Sequence, residues 1–321
     1  MTFGAKLQPV AIVFSAVLGL LLGGFTPFNI STGYIELFLM ILLFILFVSV
    51  DLRQVKQAFE NVRYTCVALA INFLVTPIIA FVLGQVFFMD SLDVRIGLLM
   101  LLVTPCTDWY LVFTGLSKGN VPLNISILPI NLILQMVLMP VYLFIFFGSE
   151  IQIQMSSILQ SIVFVLCVPF VLALITKVLL RHKMGIKEWI LDHSDPMQLL
   201  FLCLAVLVMF ASESKNLMDN SALLFKLFVP LLIFFVLVFF VAQGVGHVLK
   251  FEKKDIVALN FTTLARNSPL ALAIAVATFP DLPLVSLALV IGPLIELPIL
   301  SLISGILLKW LDSSHQGESL Q

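Results

Sequence analysis

The amino-acid sequence predicts an all-α polytopic membrane protein with ten membrane-spanning helices. Three observations support this fold class: the composition, the recurrence of long apolar runs, and the distribution of basic residues. Of 321 residues, 61% are hydrophobic and only 11% are charged, and the mean hydropathy is +1.16. In soluble proteins about a quarter of the residues are charged, so most of this chain is expected to lie in lipid.

Apolar runs long enough to cross a bilayer recur along the whole chain. A spanning helix needs about 20 predominantly apolar residues. The runs between charged or Gly/Pro/Asn-rich breaks predict spans at 8–25, 34–50, 62–84, 95–115, 121–147, 156–180, 196–212, 221–249, 255–279 and 282–310. Since the connections are short, we expect one transmembrane unit over 1–311 and a polar cytoplasmic tail over 312–321.

The basic residues orient these spans. Thirteen of the 17 lysines and arginines fall in one alternating set of loops, and the remaining four are Arg95, Lys215, Lys226 and Arg266. Cytoplasmic loops carry such an excess, so both termini are predicted to be cytoplasmic, in a multi-pass protein of the cell (plasma) membrane. The net charge of −1 argues against nucleic-acid binding, which requires a basic surface.

Ten spans divide into two halves of five, approximately 1–155 and 156–311. An odd number of spans per half inverts the second half relative to the first, as in inverted-repeat transporters. Two interruptions agree with this division, because Thr104-Pro105 interrupts span 4 and Ser268-Pro269 interrupts span 9, its counterpart. The sequence therefore predicts two inverted five-helix repeats with discontinuous spans 4 and 9.

The residues at the two interruptions predict where the helices restart. Thr or Ser followed by Pro is typical of an N-cap followed by the first helical residue. Each interruption would begin a half-helix near the middle of the bilayer, with its positive end and free N–H groups facing a cavity. A simple proline kink is the alternative for either interruption alone. Two interruptions at matching places favour a binding site.

Three ionisable side chains fall inside spans: Asp108 in span 4, Arg266 in span 9 and Glu296 in span 10. Such residues are functional candidates by default, because a charge within the membrane is costly. Asp108 and Arg266 flank the two interruptions and are predicted to form a charge pair at the helix crossing. Glu296 would then be an unpaired carboxylate able to take up and release protons, unless Arg266 is its partner.

Polar residues at the interruptions are the candidates for substrate binding. Cys106 directly follows the first interruption and is predicted to lie in the first turn of the second half-helix, where its thiol would be a soft ligand. Thr104, Thr107, Asn267 and Ser268 complete the predicted set. Such groups also hold membrane helices together, and these are selected because they coincide with the interruptions. Four widely spaced cysteines predict neither a disulfide framework nor a metal site, and no cofactor is expected.

Several stretches carry a resemblance to a known family. They are Val50-Asp51-Leu52-Arg53, Asn72 with Pro77, Leu116-Ser117-Lys118-Gly119-Asn120 after Cys106, Leu270 to Ala275, and, most specific, Val290-Ile291-Gly292-Pro293-Leu294-Ile295-Glu296-Leu297-Pro298. On these residues the chain resembles the bile acid/arsenite/riboflavin transporter superfamily over nearly its whole length. Within that superfamily it looks most like the arsenite efflux permeases.

The resemblance implies a fold and a function. The fold would have a panel domain of spans 1, 2, 6 and 7 and a core domain of spans 3–5 and 8–10, with unwound spans 4 and 9 crossing at the site. In the arsenite permeases a cysteine of span 4 and a glutamate of span 10 are functional, and they match Cys106 and Glu296. The implied function is a secondary transporter that expels arsenite in exchange for protons.

Two departures from the permease pattern leave the substrate open. Pro105 stands where those permeases have an arginine, and Arg266-Asn267-Ser268 stands in place of an Asn-Asn-Phe-Glu-like stretch. The alternative is sodium-coupled symport of a small organic anion, although span 9 lacks the acidic residue expected near a sodium site. An enzyme is not expected, because motifs of intramembrane proteolysis such as H-E-x-x-H are absent from the sequence.

Overall fold

The computed structural model describes residues 3–25, 33–49, 60–106, 109–150, 155–180, 184–212, 214 and 222–318. These residues form helices α1 (Phe3–Phe25), α2 (Gly33–Ser49), α3 (Val62–Phe87), α4 (Leu92–Leu102), α5 (Trp109–Leu116), α6 (Val121–Phe147), α7 (Met155–Leu179), α8 (Met184–Ser212), α9 (Ala222–Val248), α10 (Lys253–Leu264), α11 (Ser268–Thr278) and α12 (Pro283–Glu318).

Most helix bounds lie within a few residues of the predicted spans. The two larger differences are α8, which begins at Met184 rather than near 196, and α12, which continues past Asp312 to Glu318. Both additions are polar segments, and Pro196 lies inside α8 rather than at its start. The spans were predicted from apolar composition, which indicates the part of a helix that contacts lipid. It therefore does not predict the polar ends by which a helix continues beyond the lipid.

Helices long and apolar enough to cross a membrane are found throughout the described part of the chain. Five satisfy both criteria: Val62–Phe87, Val121–Phe147, Asp192–Ser212, Phe225–Val248 and Pro283–Asp312. Shorter apolar helices occur at Val13–Gly24, Leu37–Ser49, Cys167–Leu179 and Ser268–Thr278. The protein is therefore a multi-pass membrane protein.

The two predicted interruptions are breaks in the helices, and they meet in space. Helix α4 ends at Leu102 and α10 ends at Leu264, and the extended residues that follow form an antiparallel bridge between Pro105 and Arg266. The Cys106 N–H donates to the Ala265 carbonyl at 2.9 Å, and the Asn267 N–H donates to the Thr104 carbonyl at 2.7 Å. Backbone that leaves a helix at membrane depth must find such partners, because lipid offers none.

Helices α1, α8, α2 and α7 pack side by side in that order: α1 contacts α8, α8 contacts α2, and α2 contacts α7. The contact between α1 and α8 is close because Gly19 and Gly23 face the backbone of α8. A Cβ atom on Gly19 would lie 2.4 Å from the Leu207 carbonyl oxygen, and one on Gly23 would lie 2.1 Å from that of Ala211. This small-xxx-small pair allows the backbones of two membrane helices to touch.

A proline in α3 is accommodated by a neighbouring helix. Pro77 lacks an N–H and so leaves the carbonyl of Phe73 without its helical donor. The preceding turn, Ile71–Val75, is a π-helix, and the Tyr142 hydroxyl of α6 donates to the Phe73 carbonyl at 2.6 Å. The hydrogen bond to this carbonyl therefore links α3 to α6.

Candidate functional site

A cavity of about 300 Å³ lies beside the crossing of the broken helices. Its lining comes from α2, α5, α8, α11, α12 and the extended residues of the crossing. Most of the lining side chains are apolar: Leu42, Leu46, Leu111, Val112, Leu199, Leu202, Val206, Leu272, Val290 and Leu297. The few polar groups among them are therefore the candidates for chemistry.

Five of the predicted site residues line this cavity together, namely Cys106, Arg266, Asn267, Ser268 and Glu296. They come from the first break, the second break and α12, which lie far apart in the sequence. The antiparallel bridge brings the two breaks together, and α12 packs against both α4 and α11.

Cys106 lies in the extended stretch before α5, so its predicted position in the first turn of that helix is wrong. Its sulfur accepts a hydrogen bond from the Trp109 N–H, with 3.3 Å between Sγ and N. A side chain that accepts from the N–H three residues ahead acts as an N-cap. The Cys106 side chain is 5% exposed, and its residue borders the cavity.

Thr104 has a different role from the one predicted for it. Instead of beginning the second half-helix, its hydroxyl donates to the carbonyls of Met100 and Leu101, both at 3.0 Å, and so caps the end of α4. The chain after it is extended because Pro105 pairs with Arg266 across the bridge. Thr104 is fully buried and does not line the cavity.

At the second break the N-cap is Asn267, one residue before the predicted Ser268. The Asn267 side-chain oxygen accepts from the Leu270 N–H at 3.2 Å, and its Nδ2 has no hydrogen-bond partner among the described residues. Ser268 is the first residue of α11, and its hydroxyl donates to the Leu289 carbonyl of α12 at 2.7 Å. Pro293, four residues further on, cannot donate to that carbonyl, so Ser268 supplies the missing donor.

Glu296 and Arg266 interact through the main chain. The Glu296 Oε1 accepts from the Arg266 backbone N–H at 2.8 Å, and the glutamate is 3% exposed. The guanidinium contacts other groups: Nη2 donates to the Thr263 carbonyl, and Cζ lies 5.0 Å from the centre of the Phe234 ring. Within the described ranges, no carboxylate lies within ion-pair distance of this guanidinium.

Two predicted residues, Thr107 and Asp108, lie outside the described residues. The predicted charge pair between Asp108 and Arg266 and the substrate contact of Thr107 therefore remain predictions. No group of three or more His, Cys, Asp or Glu side chains suited to holding a metal ion occurs in the described part of the chain.

Two cavity residues escaped the sequence reasoning. Trp109 begins α5 beside Cys106, and Gln198 is the polar group that α8 contributes to the lining. The signal for Gln198 in the sequence was a lone amide at the start of an apolar run, which by itself is common in helices. Its place in the cavity lining follows only from how α8 packs on α2.

Comparison with known proteins identifies the family. The profile of the sodium bile acid symporter family matches residues 36–220, more than half of the chain. The arsenical-resistance protein Acr3 of Corynebacterium glutamicum is 24% identical over 93% of this chain and 87% of its own length. Acr3 of Alkaliphilus metalliredigens is 20% identical over 83% of this chain and 78% of its own length.

A third relative, the uncharacterized sodium-dependent transporter YocS of Bacillus subtilis, is 23% identical over 89% of this chain and 87% of its own length. These similarities extend across the helices that build the cavity. The protein belongs to the sodium bile acid symporter family and is accordingly a multi-pass membrane transporter of small molecules rather than an enzyme.

Proposed function

We propose that this transporter exports arsenite, or a similar trivalent metalloid, in exchange for protons across the cell membrane. The observation that carries the proposal is that Cys106 and Glu296 line the same cavity at the crossing of the two broken helices. The names of two relatives, both arsenical-resistance proteins, support the substrate.

The substrate would bind at the two breaks. Arsenite is uncharged near neutral pH and has a high affinity for sulfur, so a site with one thiol and several hydroxyl and amide groups suits it better than a strongly charged one. Cys106 supplies the sulfur, while Asn267 and Ser268 supply the polar groups from the second break. Thr104 acts indirectly, because its hydroxyl holds the end of α4 and so fixes the path of the chain into Cys106.

Proton coupling would involve Glu296. In its ionised form this carboxylate accepts from the Arg266 N–H, which lies at the antiparallel bridge between the two breaks. Protonation removes the negative charge that strengthens this hydrogen bond. A proton that binds more tightly to one arrangement of the two breaks than to another increases the population of the arrangement that it prefers.

The moving parts would be the predicted panel and core domains in a ten-span protein with two inverted repeats and both termini in the cytoplasm. Two features support this division. The panel helices α1, α2, α7 and α8 pack on one another, and the cavity is lined both by panel helices, α2 and α8, and by the crossing. The pairing of the two breaks is antiparallel, as a pair of inverted repeats requires.

The test is uptake into everted membrane vesicles, in which an exporter accumulates its substrate inside. We expect arsenite uptake to be driven by an imposed proton gradient. Cys106→Ala should reduce arsenite uptake at least tenfold, whereas Cys203→Ala, which lies outside the cavity on α8, should leave it unchanged. Vesicles that take up no arsenite, or equal uptake by wild type and Cys106→Ala, would refute the proposed substrate site.

The second candidate is sodium-coupled symport of a small organic anion, and the size of the cavity favours it. A volume of about 300 Å³ lined mostly by apolar side chains falls at the lower end of pockets for drug-sized ligands, whereas arsenite has only four heavy atoms. The same vesicles distinguish the two candidates, since this function requires a sodium gradient and no proton gradient.

A further inference from the structure

A buried positive charge lies beside the cavity, and no carboxylate lies within ion-pair distance of its guanidinium among the residues that the structure describes. Arg266 is 2% exposed, and its Nε and Nη1 have no hydrogen-bond partner within that part of the chain. Burying an unpaired charge is costly, and a charged residue at membrane depth is a functional candidate for that reason. The contacts of the guanidinium indicate what this charge does.

The guanidinium lies at the C-terminal end of the half-helix α10. Its Nη2 donates to the carbonyl of Thr263, in the last turn of a helix that ends at Leu264. The C-terminal end of a helix carries a partial negative charge because its last carbonyls lack helical donors. The Phe234 ring of α9 adds a second attraction for a cation, with 5.0 Å between Cζ and the ring centre.

The end of the other half-helix, α4, differs in this respect. Two carbonyls in its last turn, those of Met100 and Leu101, accept from the neutral hydroxyl of Thr104. The two half-helices end on either side of the same antiparallel bridge. The contrast shows that the end of a half-helix in this protein can be satisfied without a charge, so the cation at α10 is a specific feature of that end.

In transporters with discontinuous helices, the C-terminal ends of half-helices and unwound carbonyls are places where coupling sodium ions bind. We propose that the guanidinium of Arg266 is a tethered cation that takes the place of such a sodium ion at the end of α10, so that this transport site works without sodium. This inference rests on the proposed function only in that the crossing is the site of transport.

The tethered charge also gives Glu296 a partner that cannot leave. The Glu296 carboxylate binds the backbone N–H of the residue that carries the guanidinium. A bound sodium ion would come and go with each transport cycle, whereas the charge of Arg266 stays. The proton on Glu296 is then the variable charge at the crossing.

The first test uses purified wild-type protein and measures the melting temperature in NaCl and in KCl at equal ionic strength. A ligand at about ten times its dissociation constant raises the melting temperature of a protein of this size by roughly 2 °C. We expect no difference between the two salts. A rise specific to sodium that saturates in the millimolar range would overturn the proposal.

The second test restores the missing cation chemically. Arg266→Ala leaves a space shaped for guanidinium, so millimolar guanidinium chloride should raise the melting temperature of this variant by roughly 2 °C or more. Urea, the uncharged analogue, should have no effect, and Arg266→Lys, which keeps the charge, should not respond. A folded Arg266→Ala that responds equally to guanidinium and urea, or to neither, would contradict the tethered cation.

Should Arg266→Ala fail to fold, the sodium test on the wild type still decides, because it needs no variant. Neither test requires arsenite or any transport. A failure to transport arsenite would therefore refute the proposed function alone, and a sodium response of the wild type would refute the tethered cation alone.

Discussion

Replacement of Ser268 by alanine should destabilise the protein through a proline that lies on another helix. The Ser268 hydroxyl donates to the Leu289 carbonyl at 2.7 Å, and both residues are buried. Pro293 lacks the N–H that would otherwise bond this carbonyl. In Ser268→Ala the carbonyl loses this donor in a region where lipid offers no substitute.

The size of the effect follows from this geometry. An unsatisfied buried acceptor costs about 1–3 kcal/mol, while measured hydrogen bonds between membrane helices reach about 1.7 kcal/mol. We therefore expect a loss of about 1–2 kcal/mol in the free energy of unfolding. In a protein of this size that loss lowers the melting temperature by roughly 1.5 to 3 °C.

A double-mutant cycle with Pro293→Ala separates this cause from other effects of the substitution. Pro293→Ala would restore the backbone donor, so Ser268→Ala should then cost close to nothing, which corresponds to a coupling of about 1–2 kcal/mol in thermal or denaturant unfolding. Ser301→Ala, at an exposed position of the same helix as Pro293, should stay within about 0.5 kcal/mol of wild type. An equal cost of Ser268→Ala in both backgrounds would refute the reasoning.

Two further substitutions test the packing that supports the site, both by the melting temperature of purified protein. Gly19→Ala should cost about 1–3 kcal/mol, because the new Cβ would lie 2.4 Å from the Leu207 carbonyl oxygen, whereas Gly24→Ala meets no atom within 4 Å and should be nearly neutral. Tyr142→Phe should cost about 1–2 kcal/mol, since it removes the donor to the Phe73 carbonyl; an unchanged stability would contradict the role given to that bond.

The sequence predicted the places where the helices break, because Pro105 and Pro269 interrupt otherwise apolar runs. It did not predict how the chain is arranged there. Cys106 and Asn267 are the capping residues, each accepting from the N–H three residues ahead, whereas Thr104 and Ser268 were predicted to do so. The extended pairing between Pro105 and Arg266 places the capping residues elsewhere than the sequence predicted. Helix propensities depend on neighbouring residues, so they could not predict a contact between segments so far apart in the chain.

The ionisable residues show the same limit. Glu296 and Arg266 were selected as rare charges in apolar spans, and both line the cavity. Arg266 had been named as the alternative partner of Glu296, but the atoms involved were not predicted: Glu296 accepts from the Arg266 backbone N–H, while the guanidinium contacts the Thr263 carbonyl and an aromatic ring. Gln198 was overlooked for a related reason, because its side of the cavity depends on the packing of α8.

The most direct test of the central claim is proton movement in proteoliposomes that contain a pH-sensitive dye. Addition of arsenite on one side should drive protons in the opposite direction in the wild type, because the two are exchanged at one site. Glu296→Gln should bind arsenite, as measured by the fluorescence of Trp109 in a variant whose other tryptophans are replaced, but should move neither protons nor arsenite. Proton-coupled arsenite transport by Glu296→Gln at the wild-type rate would contradict the account.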